Sequence, residues 1–235
     1  MIIITLTTWK KRINNIPDVL DSIFNQTVSP DLVVLNLAVD EVLPERVEKY
    51  LITHNVEINR VPDTKVYKKI LPTISKYKEA DIICIDDDWI YPDYMIADFM
   101  ATHKKHPNMP ITGNYIVYKH LNCHCGCASL VKYEYFGDFL NVIDDEVIKN
   151  CPSDDILFTY LAAKNGHYYC RTKEYYFGNM KPYGAENPYS VKYGQPEDET
   201  WAYLSDRFGS FCGKKDLTFV WLVFKRRLKA IFSFG

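Results

Sequence analysis

Short apolar segments and amphipathic segments alternate along the first half of the chain. The apolar segments predict strands at 2–6, 31–37, 56–60 and 82–85. The segments between them space their apolar residues three and four positions apart, which predicts helices at 13–25, 45–53 and 70–77. Strands that alternate with helices in this way form a mainly parallel sheet with helices on its faces. We therefore predict an α/β fold.

The second half of the chain has a less regular pattern. The predicted elements there are a helix at 92–103, strands at 111–118 and 129–135, and a helix at 155–165. The last of these helices is the clearest, because Ser153 is a good N-cap and Gly166 follows as a stop signal. Residues 178–200 intersperse prolines and glycines among tyrosines without periodicity, so we predict a long loop.

The last segment, 217–234, is almost wholly apolar and aromatic apart from a basic stripe. Thr218, Lys225, Lys229 and Ser233 are spaced seven and four positions apart, which places them on one side of a helix. The apolar run is far shorter than the roughly 20 residues that span a bilayer. We therefore predict an amphipathic helix that lies on the membrane surface; a core helix or an oligomer contact is the alternative.

Composition and charge restrict the number of domains, the partners and the cellular compartment expected for the chain. A chain of 235 residues makes one large domain or two small ones, and its net charge of −2 argues against a nucleic-acid partner. The chain starts in an apolar strand pattern without a basic region before it, so no signal peptide is expected. Seven cysteines then fit a reducing cytosol. The aromatic content of 14% suits sugar binding, although aromatic residues are equally common in protein cores.

One cysteine cluster has side chains that zinc prefers as ligands: Cys123, His124, Cys125 and Cys127. These residues lie closer together than the usual ligand pairs, which are separated by two to four residues, and no second pair follows. We favour a reduced cysteine-rich loop, with a zinc site as the alternative.

Three adjacent aspartates, Asp86, Asp87 and Asp88, directly follow the apolar strand at 82–85. Adjacent carboxylates repel one another, and burial strengthens that repulsion, so a nearby positive charge is expected. Mg2+ and Mn2+ are candidates because they bind carboxylates together with phosphate oxygens. In open α/β sheets, ligands bind beyond the carboxyl ends of the strands. The acidic triplet therefore predicts a metal and ligand site; the alternative is an acidic strand end at which Asp88 or Asp93 caps a helix.

The familiar nucleotide-binding glycine motifs, G-x-G-x-x-G and G-x-x-x-x-G-K-[ST], do not occur in the first half of the chain. Four other segments stand in order around the acidic triplet: 5–13 (TLTTWKKRI), 26–35 (QTVSPDLVVL), 67–72 (YKKILP) and 151–157 (CPSDDIL). In these segments and in the D-x-D of the triplet, the chain resembles the small family-2-like glycosyltransferases of bacterial polysaccharide and lipopolysaccharide synthesis. The resemblance covers residues 1 to about 205. It implies the GT-A fold, a mainly parallel sheet flanked by helices.

The resemblance also implies how the chain is divided. Residues 1–213 would form one GT-A-type domain, with a nucleotide-sugar-binding half at 1–105 and an acceptor half at 106–213. Residues 214–235 lie outside the resemblance and, from their own pattern, would form the amphipathic tail. The enzyme would be cytoplasmic and peripheral on the cytoplasmic face of the membrane, and the loop at 178–200 would close over the donor.

The activity implied by the resemblance is transfer of a sugar from a nucleotide-diphosphate sugar, in the first place a UDP-sugar, to a hydroxyl of a glycan or glycolipid acceptor. Asp88 and Asp86 would hold Mn2+ or Mg2+ on the two phosphates, and Asp87 would reach the ribose or the sugar. Asp155 would be the general base, with Asp154 as the alternative, and the anomeric carbon would be inverted. Further nucleotide contacts are implied for Thr7, Arg12, Asn36 and Lys69.

Two other functions compete with this one. A sugar nucleotidyltransferase would share an α/β core and two metal-binding carboxylates, but it would have a glycine-rich loop after the first strand, where this chain has Thr7, Thr8, Trp9 and Lys10. A catalytically silent, membrane-associated binding module is the other alternative. Binding of a nucleotide that depends on a divalent cation would exclude the silent module.

Overall fold

The computed structural model describes residues 1–113, 115–118, 121–124, 128–172, 181–182 and 196–209. Within them the strands are Ile2–Thr7 (β1), Leu32–Ala38 (β2), Glu57–Val61 (β3), Asp81–Ile85 (β4), Trp89–Ile90 (β5), Ile111–Thr112 (β6), Tyr115–Tyr118 (β7), Leu121–His124 (β8), Ala128–Val131 (β9), Cys170–Arg171 (β10) and Lys181–Pro182 (β11). The α-helices are Ile16–Phe24 (α1), Glu45–Thr53 (α2), Leu71–Lys76 (α3), Met95–Lys105 (α4), Asp145–Asn150 (α5), Asp154–Lys164 (α6) and Pro196–Phe208 (α7). Short 3-10 turns occur at Ile13–Asn15, Lys65–Lys69, Tyr133–Tyr135 and Gly137–Val142.

Seven strands form the main sheet in the order β10-β6-β9-β4-β1-β2-β3. Strands β4, β1, β2 and β3 are parallel, whereas β9 runs antiparallel to both of its neighbours. The register pairs Thr7 with Asn36 and Thr5 with Cys84, so β1, β2 and β4 end side by side. The predicted α/β fold with a mainly parallel sheet is confirmed. The shared carboxyl end of β1, β2 and β4 is the edge at which a ligand site was expected.

Alternate residues of the central strands face two separate cores. Ile4 and Ile83 pack with apolar residues of α1, α2 and α4 on one face of the sheet. Ile3 and Ile82 pack with apolar residues of α3, α6 and α7 on the other. The apolar strand predicted at 82–85 is therefore buried on both faces, as its composition indicated.

Helix α6 is buried on all sides from Ile156 to Ala163, because it shares a core with Ile3 and Ile82 of the main sheet and contacts α7 and β8. Its start confirms the predicted N-cap, since Ser153 Oγ accepts a hydrogen bond from the Ile156 N–H at 3.4 Å. Gly166 follows the helix end with φ +83°, a conformation that other residues rarely adopt. The first two residues of α6 are thus held at a fixed place, at the edge of the core.

The prediction of a strand at 129–135 is wrong for the second half of that segment. Strand β9 ends at Val131, and Tyr133–Tyr135 is a 3-10 turn. The turn lets the consecutive residues Tyr135 and Phe136 enter the same core, which the alternation of a strand would prevent. The Tyr135 hydroxyl also donates to the carbonyl of Pro107 at 2.8 Å.

The prediction of a long loop at 178–200 is also wrong in part. Lys181–Pro182 forms a strand paired with β5, and α7 begins at Pro196. A proline followed by three acidic residues suits the first turn of a helix, and Trp201 and Leu204 then bury one side of it. The remainder of that segment lies outside the described residues, as do Cys125, Cys127 and the tail at 214–235. Within the described residues, no helix is both long enough and apolar enough to cross a bilayer.

Candidate functional site

The turn that follows β1 contacts the acidic triplet that follows β4. Thr8 Oγ1 donates to Asp87 Oδ2 at 2.6 Å, and Arg12 Nη1 donates to Asp87 Oδ1 at 2.6 Å. The same guanidinium nitrogen lies 2.9 Å from Asp88 Oδ2. The Trp9 carbonyl accepts the Arg12 N–H at 2.8 Å, which holds the turn in shape. Arg12 therefore holds the second and third aspartates of the triplet together.

Lys69 holds the first aspartate of the triplet. Its ammonium lies 2.8 Å from Asp86 Oδ1 and 2.8 Å from Asp154 Oδ2, and the lysine side chain is only 8% exposed. Burial alone would lower the pKa of Lys69, but the nearby carboxylates, Asp154 before Asp86, outweigh it and hold that pKa well above its ordinary value. The lysine is a fixed positive charge that joins the end of β4 to the start of α6.

A buried polar network lies beneath Lys69. Asn36 Nδ2 donates to Thr5 Oγ1 at 3.0 Å and to Thr73 Oγ1 at 2.9 Å, and Asn36 Oδ1 accepts from Asn59 at 2.9 Å. Thr7 Oγ1 donates to the Asn36 carbonyl at 2.8 Å. The Asn36 side chain is fully buried, so its amide bonds to these protein groups and has no contact with solvent. The nucleotide contacts expected for Thr7 and Asn36 stay predictions, and such a contact from Asn36 would require it to leave this network.

The three aspartates of the triplet differ in accessibility. The side chains of Asp86 and Asp88 are each 25% exposed, whereas that of Asp87 is 8% exposed. Burial and the charge of Asp86 raise the pKa of Asp88 to about 6, against the attraction of Arg12. Tyr91 supports this end of the strand, because its hydroxyl accepts the Asp86 N–H at 2.8 Å. The contact with ribose or sugar that was expected for Asp87 stays a prediction, and it would compete with the bonds that Asp87 makes inside the protein.

The start of α6 presents two further carboxylates with different surroundings. Asp154 is buried against Lys69, whereas Asp155 is half-buried. The preceding loop is fixed by Tyr67, whose hydroxyl donates to the carbonyl of Cys151. Of the two candidates for a general base, Asp154 is committed to an ion pair and Asp155 is the more accessible.

A divalent cation fits the outer residues of the triplet. Within the described residues, no three His, Cys, Asp or Glu side chains form a preformed metal cluster. Mg2+ and Mn2+ in phosphate-binding sites, however, use one or two carboxylates together with phosphate oxygens and water. Asp86 and Asp88 supply two partly exposed carboxylates, and the pKa of Asp88 is raised by burial and then by the charge of Asp86, a repulsion that a cation would relieve.

Sequence reasoning found most of the residues that meet here. Direct contacts join Arg12, Lys69, Asp86, Asp87, Asp88 and Asp154. Thr8 and Tyr91 were not predicted from the sequence. Their hydroxyl groups bond to the Asp87 carboxylate and to the Asp86 N–H. Thr8 is adjacent to Thr7, and only the position of β1 beside β4 decides which of the two threonines reaches Asp87.

Comparisons with known proteins find likeness in structure alone: no protein-family model matches the chain, and no curated protein matches its sequence. A mannosyltransferase from Pyrobaculum calidifontis, solved with GDP-Man and Mn2+, matches with a TM-score of 0.56 at 15% identity, over 72% of this chain and 54% of that one. Residues 1–349 of S. aureus TarS, solved with UDP-GlcNAc, match with a TM-score of 0.61 at 15% identity, over 87% and 65%. The chain therefore spans about half to two thirds of the length of these two solved chains.

A third solved structure carries a different activity in its name. 4-Diphosphocytidyl-2C-methyl-D-erythritol synthase matches with a TM-score of 0.50 at 12% identity, over 86% of this chain and 96% of that one. Identities of this size show a common fold and leave the reaction to be argued from the site.

Proposed function

Since the chain has the GT-A fold, we propose that it is a metal-dependent glycosyltransferase that moves a sugar from a nucleotide-diphosphate sugar to a hydroxyl of a glycan or glycolipid. The proposed domain comprises residues 1–213, with the donor bound by 1–105 and the acceptor by 106–213. We further propose that the product belongs to a cell-surface polysaccharide or lipopolysaccharide and that the segment at 217–234 binds the membrane surface. Two of the matched proteins were solved with nucleotide sugars, which supports a UDP- or GDP-sugar donor.

The observation that carries the proposal is the joined cluster of charges at the carboxyl edge of the sheet. Asp86 and Asp88 are accessible there, while Arg12 and Lys69 hold them from inside. Ligands of open α/β sheets bind at this edge, and a diphosphate with its cation is the ligand that two such carboxylates suit. Asp154 and Asp155 approach the same cluster from α6, so donor and acceptor groups would meet at one place.

The metal would be held by Asp86 and Asp88, and when bound it would act as a Lewis acid on the departing diphosphate. Arg12 and Lys69 keep the carboxylates oriented and partly neutralised before the donor arrives. Thr7, Arg12, Asn36 and Asp87 are the proposed donor-binding residues, in direct contact or through the network beneath, and Lys69 holds the carboxylate of Asp86 beside them.

Asp155 is the proposed general base. It takes the proton of the acceptor hydroxyl while that oxygen bonds to the anomeric carbon, and the bond from this carbon to the nucleoside diphosphate breaks. Attack from the face opposite the leaving group inverts the anomeric configuration. Asp154 suits this role less well, because its ion pair with Lys69 would have to break first.

Mutation of the two aspartates tests the assignment. Asp155→Asn keeps the size of the side chain and a good helix start, and loss of one general base typically slows the reaction by about 100–10,000-fold. We expect Asp155→Asn to bind donor normally and transfer sugar at that reduced rate, and Asp154→Asn to be the milder variant. A dead Asp154→Asn beside an active Asp155→Asn would reverse the roles, and a product with retained configuration by NMR would overturn the base mechanism.

A panel of donors tests the activity itself. The protein is incubated with UDP-, GDP- and dTDP-sugars and Mn2+, and the released nucleoside diphosphate is measured. Asp88→Asn should abolish the dependence of donor binding on metal while the fold is kept, as followed by calorimetry and circular dichroism. Unchanged binding with unchanged metal dependence would remove Asp88 from the metal site.

Nucleotidyl transfer is the second candidate, because the matched synthase forms a product with a diphosphocytidyl group. The two reactions differ in what leaves: a glycosyltransferase releases a nucleoside diphosphate, and a nucleotidyltransferase acting on a nucleoside triphosphate releases pyrophosphate. Incubation with nucleoside triphosphates and sugar phosphates, assayed for pyrophosphate, separates them. The absence of glycine from the turn after β1 favours the glycosyltransferase.

A further inference from the structure

One short turn, Lys65–Lys69, holds two separate parts of the site. Its last residue, Lys69, contacts both Asp86 at the end of β4 and Asp154 at the start of α6. Two residues earlier, the Tyr67 hydroxyl donates to the carbonyl of Cys151 in the loop before α6. Two side chains of this turn therefore hold the start of α6. Tyr67 bonds to the loop before the cap residue Ser153, and Lys69 bonds to Asp154 directly after it.

The turn is itself fixed from inside the sheet. Thr5 Oγ1 on β1 donates to the Lys69 carbonyl at 2.7 Å, and it accepts a hydrogen bond from the buried Asn36 on β2. Thr73 joins the same network. The backbone of Lys69 is thus positioned by the strands whose ends form the donor-binding edge.

The Lys69 ammonium has little surface left for a ligand. It is 8% exposed and lies 2.8 Å from two carboxylates. The resemblance to glycosyltransferases suggested a direct contact with the nucleotide, but this geometry points elsewhere. We propose that Lys69 is a positioning residue, which ties α6 to β4 and so sets the distance between Asp155 and the donor. This inference rests on the proposed function, in which Asp155 is the base.

Kinetics separate a positioning residue from a nucleotide-binding one. At saturating Mn2+, Lys69→Met should leave the donor Kd within about threefold and lower kcat by about 100-fold, because a misplacement of about 1 Å has an effect of that size. Asp154→Asn should lower kcat by the same loss of position, and by less than Asp155→Asn does. The double variant Lys69→Met/Asp154→Asn should be no slower than the slower single variant, since both changes break the same link.

Lys68→Met is the matched control. Lys68 lies in the same turn and its side chain is 7% exposed, but its ammonium contacts Asp63 and the carbonyl of Lys65, away from the triplet. Lys68→Met should lower thermal stability and leave kcat within about threefold of the unchanged protein. Lys69→Arg, which keeps the positive charge, should recover most of the lost kcat. If Lys69→Met does not fold, the double variant, in which Asp154 is no longer left as a buried charge without its partner, is compared with Asp154→Asn alone.

Hydrogen exchange gives a test that does not depend on turnover. Lys69→Met should speed amide exchange in the peptide 151–158 at the start of α6, and Lys68→Met should not. Unchanged exchange there, a donor Kd raised at least tenfold with normal kcat, or effects of Lys69→Met and Asp154→Asn that multiply would each overturn the proposal. If the unchanged protein transfers no sugar from any donor, the proposed function fails, while the exchange result still decides whether Lys69 ties α6 to β4.

Discussion

Replacing Arg12 with methionine should lower the free energy of unfolding by about 3–5 kcal/mol, the usual effect of breaking a buried ion pair by removing one partner. Arg12 and Asp87 are both buried, and their contact is 2.6 Å. Methionine preserves much of the apolar stem of arginine, so the change is largely the loss of charge and of hydrogen bonds. Asp87 would remain inside the protein with Thr8 as a hydrogen-bond donor.

The size of the effect follows from the surroundings of the pair. Two unit charges about 4 Å apart attract by about 4 kcal/mol at an effective dielectric constant of about 20, and by about 1 kcal/mol in water. Desolvation of both groups offsets part of this attraction in the intact protein, but after the substitution Asp87 keeps its desolvation and loses its partner. With a urea m-value of about 2–3 kcal/mol/M, the unfolding midpoint should fall by about 1–2.5 M.

The assay is urea unfolding at pH 7 in EDTA, followed by far-UV circular dichroism. Lys49→Met is the matched control, because Lys49 pairs with Glu45 at 2.6 Å while their side chains are 74% and 80% exposed. An exposed pair of this kind contributes about 0.5 kcal/mol or less. The double variant Arg12→Met/Asp87→Asn should be more stable than Arg12→Met alone, because it removes the stranded charge. A loss for Arg12→Met no larger than that for Lys49→Met, or additive effects in the double variant, would refute the argument.

Three further predictions concern other parts of the chain. Trp201→Ala should lower the unfolding free energy by about 3–5 kcal/mol, because this buried side chain anchors α7; a loss below about 1 kcal/mol in urea unfolding would contradict that role. Burial raises the pKa of Cys84 to about 11 and that of Cys151 to about 12, so at pH 8 a smaller fraction of each thiol is ionised than in an ordinary cysteine. Peptide mass spectrometry should therefore show that both react with iodoacetamide on the order of 100-fold more slowly than the partly exposed Cys170. Equal labelling rates would show that the two thiols are accessible. Truncation after Gly213 should leave a folded, active protein that no longer sediments with anionic liposomes, and equal sedimentation of both forms would exclude the tail as the anchor.

Local patterns sufficed for the elements that surround the site. An apolar run bounded by charge is typical of a buried parallel strand, which is why β4 and its three aspartates could be placed from the sequence. A serine cap followed by acidic residues likewise located the start of α6. Because parallel strands end at the same edge, the residues after β1 and β4 lie near one another.

The partners within the site could not be predicted, because they depend on tertiary packing. Nothing near Lys69 in the sequence indicates that its ammonium meets Asp154, and nothing near Thr8 indicates Asp87. The bonds of the buried Asn36 amide could not be predicted either, since a polar residue near the end of a strand has the same local signal whether it contacts a ligand or bonds inside the protein. Short strands such as β5 and β11 also escape periodicity, because two residues carry no period.

The hydrogen bonds of Asp87 join residues that are far apart along the chain: 79 positions separate it from Thr8 and 75 from Arg12. Contacts of such long range form late and slowly during folding, because a large loop must close before they yield any stabilisation. A ligand held by these groups would bind only molecules in which the turn after β1 already contacts the end of β4. At 100 times its Kd, such a ligand would add about 2.7 kcal/mol to the stability of the native state without assisting any partly folded form. The donor would thus select finished molecules from a newly made population.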